Sequence, residues 1–299
     1  MGQAMRLSWH PPEPGQPGAW HGDGPLGVDE FGLYADLQFN AVVQRFRWIV
    51  QGKFLMGSPD TEPGRWKERE TQHEVTLTLG YWLADSACIQ ALWRAVTGDN
   101  PSRFQGNDDN PVEQVSWDDA QTFIAQLNSL VPGLHARLPT EAEWEYACRA
   151  GTSTPFSFGG NITPEQVNYD GNYPYADGEK GLYREKTVPV KSLPPNPWGL
   201  YEMHGNVWEW CQDWFVEEYG AAPQVDPQGP STGAGRVLRG GSWLINGRSV
   251  RSASRGRGGP GSRYSNFGFR LALGQTGSGQ SAAPRPPGQP PAERRGGQG

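Results

Sequence analysis

Cysteine, lysine and long apolar runs are all scarce in this chain of 299 residues, and each shortage removes a class of protein. The three cysteines, Cys88, Cys148 and Cys211, are odd in number, far apart and without CxxC spacing. A disulfide framework or a cysteine zinc site is thereby excluded as the source of stability, and a reduced setting fits better. No run approaches the ~20 apolar residues of a membrane-spanning helix. The opening stretch, MGQAMRLSWHPPEPGQPG, lacks the apolar core of a secretion signal. The expectation is a cytoplasmic monomer with no membrane span.

Rings and turn residues are plentiful instead: 13 Trp, 11 Phe and 10 Tyr stand beside 41 Gly and 27 Pro. Large flat side chains filling a core between irregular loops follow from that mixture. Residues 1–28 read as a Pro/Gly-rich arm and 274–299 as a disordered Pro/Gly-rich tail, leaving one domain over 29–273. Three short helices are marked by their caps. Ser86 precedes a helix ending at Gly98, Ser116 with Asp119 opens a second, and Thr140 with Glu143 opens a third that Gly151 closes. Strands are expected at Phe46–Ile49, Lys53–Met56, Glu74–Leu79, Arg236–Arg239 and Phe269–Leu273. Between Gly151 and Pro230 no periodicity is visible, and so long an irregular stretch asks for another source of rigidity, such as a metal.

Six motifs then occur in order: GKFLMGS from Gly52, PVEQVSWDD from Pro111, RLPTEAEWEYACRA from Arg137, NPWGLYEMHGNVWEW from Asn196, RVLRGGSW from Arg236 and GFRL from Gly268. Together, over roughly Phe46 to Leu273, they resemble the formylglycine-generating-enzyme family. The resemblance implies a single α+β domain with a C-type-lectin-like fold: short helices, small twisted antiparallel sheets, extensive loops and structural calcium. In EMHGNVWE two carboxylates flank a glycine turn, and hard oxygen ligands suit calcium. The resemblance places one ion on the side chains of Glu202 and Glu209 and the carbonyls of Gly205 and Val207. A second would begin at Asn168 and Tyr169, with no clear acidic partner downstream. The alternative for Glu209 is a cap or a pair with an arginine.

In the enzymes of this family two cysteines shortly after GGS[WY] bind copper and activate oxygen. Ile245 and Val250 stand at about those positions here, so neither copper nor catalysis is expected. A related branch uses non-haem iron held by histidines. His10, His21, His73, His135 and His204 show no ligand spacing, so iron is not expected either. The three cysteines read as packing residues.

The segment Leu244–Asn266 carries a second resemblance, to variable proteins of diversity-generating retroelements. Their hypervariable region lies between a GGSW-type start and a GFRL-type end. Adenine mutation of the usual AAC codon cannot reach Met, Trp, Lys, Gln or Glu. These five types make up 59 of the 299 residues, yet none occurs in this 23-residue window. Arg248, Arg251, Ala253, Arg255, Pro260, Arg263 and Gly268 match family framework positions. The residues between them, Leu244, Ile245, Asn246, Ser249, Ser254, Gly256, Gly258, Gly259, Ser262, Tyr264, Ser265 and Asn266, would form a binding surface for an unknown protein or small ligand. An inactive accessory or signalling relative, or an oxidase with an unrecognised metal site, are the other readings.

Net charge is −6, yet Arg236 to Leu273 carries eight arginines and no lysine or acid. Such a segment raises a nucleic-acid reading. The match of most of these arginines to framework positions favours internal pairing, and no nucleic-acid partner is expected.

Overall fold

The computed structural model describes residues 26–277. Along the chain, β1 (Leu26–Asp29), β2 (Gly32–Phe39) and β3 (Val42–Ile49) form a meander, and β4 (Gly52–Met56) and β5 (His73–Leu77) a hairpin. Next come β6 (Tyr81–Ala84), α1 (Gln90–Thr97), α2 (Trp117–Leu130), β7 (Ala136–Arg137) and α3 (Glu141–Arg149). After a long irregular passage follow β8 (Trp208–Trp214), β9 (Gln224–Val225), β10 (Arg236–Arg239), β11 (Arg255–Gly258), β12 (Phe267–Gly268) and β13 (Ala272–Leu273). They assemble into three sheets, ordered β1-β2-β3-β6-β13-β7, β11-β10-β8-β12 and β4-β5-β9. Few short helices over several mainly antiparallel sheets make this an α+β fold, as the motifs led one to expect.

Two helix starts obey the sequence rules closely. In α2 the Ser116 hydroxyl accepts from the Asp119 N–H, and the Asp119 carboxylate accepts from the Ser116 N–H. Thr140 and Glu143 make the same reciprocal box at α3. The first helix departs from expectation. Ser86 does not cap it; the helix begins at Gln90, and Ile89 in the cap position offers no side-chain bond. Residues 87–89 are drawn out instead by Cys88, whose N–H donates to the Phe269 carbonyl and whose carbonyl accepts from Val112. At α3 the left-handed cap is Ala150, one residue before the expected Gly151.

Two expected strands keep their place within longer ones, Arg236–Arg239 is matched residue for residue, and Glu74–Leu79 sits one or two residues early at β5. Of the last, Phe269–Leu273, only Ala272 and Leu273 are strand: β12 precedes it and pairs with β8, β13 pairs with β6, and Phe269–Leu271 crosses between the sheets. β1 straddles the expected arm boundary and is secured by an Arg47–Asp29 ion pair at 2.6 Å. The rest of the arm and of the tail lies outside the described residues. The irregular passage is held by asparagines doing the work of a ladder. Asn206 Oδ1 accepts from Asn168 Nδ2 and the Val188 N–H, and Asn196 Nδ2 donates to the Ala147 carbonyl.

Two large apolar clusters fill the space between the sheets, one around Trp82, Trp93 and Trp210, the other around Trp144, Cys148 and Cys211. Threaded beside them is a row of buried charges. Arg149 pairs with Glu145, Glu145 with Arg239, Arg239 with Glu141, and Glu141 with Arg255. This row ties α3 to β10 and β11. Nearby, Arg251 is fully buried between Glu62 at 2.5 Å and Glu70 at 2.8 Å. Breaking such a pair strands a charge away from water, whereas an exposed pair contributes little. Arg251→Met is therefore expected to cost about 3–5 kcal/mol. Arg257→Met, at the exposed pair with Glu217, should cost less than about 1 kcal/mol. Urea midpoints of the two variants measure the difference.

Candidate functional site: the loop surface between Gly240 and Gly268

Beyond β10 the chain turns through Gly240 and Gly241, both at positive φ. Trp243 folds inward, edge-on to Phe104 at 5.3 Å and stacked with Tyr183 at 6.4 Å. Its Nε1–H donates to the Ser265 carbonyl at 3.1 Å, joining the start of the loop segment to its end. Leu244 and Tyr264 stand out in solvent, 47% and 58% exposed. Asn246 caps a 3-10 turn over Gly247–Val250, its Oδ1 accepting from the Ser249 N–H and hydroxyl. The Tyr264 ring leans edge-on against Phe267 at 4.9 Å.

Ile245 and Val250 converge. Gly241 has no side chain, and a Cβ there would meet Val250 Cγ1 at 2.5 Å and Ile245 Cδ1 at 3.0 Å. Both side chains pack into a third apolar cluster with Phe156 and Tyr175. Two hydrocarbon side chains meet where the resemblance would put a pair of thiols. Beneath them His204 is buried, its Nδ1–H donating to the Val250 carbonyl at 2.7 Å and its Nε2 accepting from the Ser157 N–H at 3.1 Å. Burial pushes this imidazole down to about 4, so it stays neutral at physiological pH. Cys148 Sγ lies 3.7 Å from His204 Nε2, and burial pushes its thiol up to about 12. Cys88 and Cys211 are also buried and shifted upward. None of the three is a ready thiolate.

The twelve expected surface positions divide. Leu244, Asn246, Gly259 and Tyr264 are exposed; Ile245, Ser249, Ser262 and Ser265 are half-buried. The other four hold the loop down. Ser254 is buried, its N–H donating to the Arg251 carbonyl and its own carbonyl accepting from Arg239. Asn266 is buried too: Nδ2 donates to Ser242 Oγ at 3.0 Å, and its carbonyl accepts from the Trp208 N–H. Gly256 and Gly258 lie against the indoles of Trp208 and Trp210, where a Cβ would approach to 3.2 and 2.6 Å. Spacing within the motif could not separate these four, because their partners sit in β8 and β10.

Each of the eight arginines has an internal partner. Arg236 is sandwiched between Trp117 and Trp214, 3.7 and 3.6 Å from the ring centres. Arg248 donates to the Gly64 carbonyl, and Arg263 pairs with Asp119 at 2.6 Å. The remaining five pair with Glu209, Glu217, Glu141, Glu145, Glu62 and Glu70.

At the first expected calcium position every side-chain oxygen accepts at least one hydrogen bond. Glu209 Oε2 accepts from Arg270 Nε at 2.6 Å and from Trp144 Nε1 at 2.7 Å, and Oε1 accepts from Arg270 Nη2 at 2.7 Å. Glu202 accepts from the N–H groups of Lys191 and Leu193. The arginine pairing of Glu209 is thus the arrangement present, and it occupies both oxygens of one of the two carboxylates expected, with Gly205 and Val207, to hold calcium. Among the described residues no group of three or more His, Cys, Asp and Glu gathers for a metal. At the second position Asn168 Oδ1 is buried without a partner, which fits one oxygen ligand; Tyr169 is itself buried. Glu209→Gln should lower stability by about 3–5 kcal/mol by stranding the Arg270 charge. The loss is expected to be equal in calcium and in chelator; a loss confined to calcium buffer would restore the metal assignment.

A missed residue lies under the Phe104 loop. Glu113 is buried, with Oε1 accepting from the Phe104 N–H at 2.8 Å and Oε2 unpartnered. Burial pushes its carboxyl up to about 7. The folded state then keeps a proton that the unfolded chain has lost, so stability falls as pH rises from 4.5 toward 7. Glu113→Gln should remove a decline on the order of 2 kcal/mol, read from denaturation midpoints at pH 5 and 7.5.

Residues 38–274 match the family of the sulfatase-modifying factor enzyme 1-like domain. Over 191 residues, 61% of this chain, the sequence is 42% identical to the formylglycine-generating enzyme of Streptomyces coelicolor, spanning 58% of that protein. It spans 53%, 50% and 63% of three further formylglycine-generating enzymes. The inactive C-alpha-formylglycine-generating enzyme 2 of Bos taurus is 35% identical over 277 residues, 89% of this chain and 80% of its own. Among solved structures, Treponema denticola variable protein 1 superposes with a TM-score of 0.69 at 30% identity, covering 80% of this chain and 98% of its own. The architecture is the C-type-lectin-like one of these proteins, and the chain belongs to the sulfatase-modifying factor enzyme 1-like family.

Proposed function

We propose that the protein is a non-catalytic binder whose Leu244–Asn266 segment is a diversified ligand surface. The observation that carries this is the meeting of Ile245 and Val250 at Gly241. Neither side chain has a lone pair for copper or a redox-active atom. The likeness to a variable protein over 98% of that protein's length supports it further. The surface comprises Leu244, Asn246, Ser249, Gly259, Ser262, Tyr264 and Ser265, with Ile245 beneath its edge. Leu244 and Tyr264 are the anchors: exposed, apolar or amphipathic, on a surface whose other members, such as Ser249, Gly259, Ser262 and Ser265, are small. Calcium belongs to this proposal only at Asn168 and Tyr169, as a loop brace outside the surface.

The long match to an inactive relative favours a second reading, an accessory protein with a fixed partner. The coding DNA separates the two. Diversification requires a nearby, adenine-rich near-copy of the Leu244–Asn266 segment beside a reverse transcriptase gene, with mismatches at template adenines. Absence of such a repeat in the complete genome leaves the accessory reading. Catalysis has its own test. Copper-loaded protein is expected to consume no oxygen with a cysteine-bearing peptide, while the Ile245→Cys/Val250→Cys pair should gain Cu(I) binding; turnover by the unaltered chain would overturn the proposal.

A further inference from the structure

A cavity of about 650 Å³ lies between the start of α3, strands β5 and β9, and the loop following β8. None of its lining comes from Leu244–Asn266, so it is separate from the surface above. Met56, Trp214, Pro223 and Pro227 supply apolar wall, and its size is that of a small-molecule site. Three carboxyls, Glu141, Asp213 and Glu218, line it, and no lysine or arginine does.

The three acids are not equivalent. Glu141 is neutralised from behind by Arg255 at 2.7 Å and by Arg239. Asp213 is 5% exposed, and its Oδ2 accepts from the Glu141 N–H at 2.8 Å, which caps α3. No ion pair joins Asp213 or Glu218 to a base among the described residues. Burial, with the charge of Glu141 beside it, pushes Asp213 up to about 8. The bond from the Glu141 N–H accounts for one oxygen of a buried acid that lines an apolar hollow and makes no direct ion pair. Desolvated acids of this kind gain most from a cation brought in with its own hydrocarbon cover.

We propose that this cavity binds an organic cation, an alkyl ammonium or guanidinium, with its head on Asp213 and Glu218 and its carbon stem against Met56, Trp214 and the prolines. The ligand is a free amine or a basic side chain of a peptide. Calorimetric titration of the full-length protein with agmatine, with acetyl-Pro-Arg-Pro amide and with neutral butylurea tests it. Saturable binding of a cationic probe at least about tenfold tighter than butylurea is expected; the tighter of the two cations identifies the source. Asp213→Asn should weaken binding by a similar factor. Ala222→Trp, on the exposed lip of the cavity, should abolish it without disturbing the α3 cap. Equal binding of butylurea, unchanged affinity in Ala222→Trp, or no saturation by either cation in the millimolar range would each overturn the assignment.

Discussion

The buried row of alternating charges from Arg149 through Glu145, Arg239 and Glu141 to Arg255 is the constraint on which the rest of the molecule rests. A hydrophobic contact tolerates sliding; a guanidinium seated between two carboxylates does not. Each of the three inner members is paired on both sides, so α3, β10 and β11 are fixed in one relative position. The irregular passages are then hung from that frame by side-chain bonds. Arg239 reaches the Ser254 carbonyl, and Arg255 reaches the carbonyls of Arg69 and Val216. Ion pairs of this kind add less stability than their number implies, and their effect is to penalise every misplaced register.

The frame explains what could and could not be read from the sequence. Capping boxes are local, so the starts of α2 and α3 were legible to the residue. The start of α1 was not, because Cys88 is pulled into extended form by Phe269 and Val112, far away in the chain. The periodicity of β8 is hidden because both its faces are covered, one indole after another. The two apolar residues at the expected thiol positions were visible in one dimension, but their meeting at Gly241 was not. For Glu209 the sequence allowed a metal or an arginine, and only the position of Arg270 decides between them.

The loop surface shows the same division of labour at smaller scale. Arginines with internal partners alternate with residues, such as Leu244, Asn246 and Tyr264, that stand exposed. Ser254 and Asn266 look like the second kind in sequence and belong to the first in space. A side chain such as Leu244 or Tyr264 projects from a backbone fastened at Trp243, Arg251 and Asn266, so its replacement leaves those fastenings in place. The shape presented to a partner is therefore decoupled from the forces that fold the chain, while the cavity beside α3 is built from the frame itself.

The buried amide of Asn266 has a consequence at the level of the genetic code. Both asparagine codons begin with two adenines, so no synonymous choice can shield this position from a process that rewrites adenines. Glycine codons carry none in their first two places, and Gly256 and Gly258 can thus ride through such rewriting unaltered over the indoles they cover. A template spanning Leu244–Asn266, as proposed, would therefore expose one structural hydrogen bond, that from Asn266 to Ser242, to rewriting at its last codon.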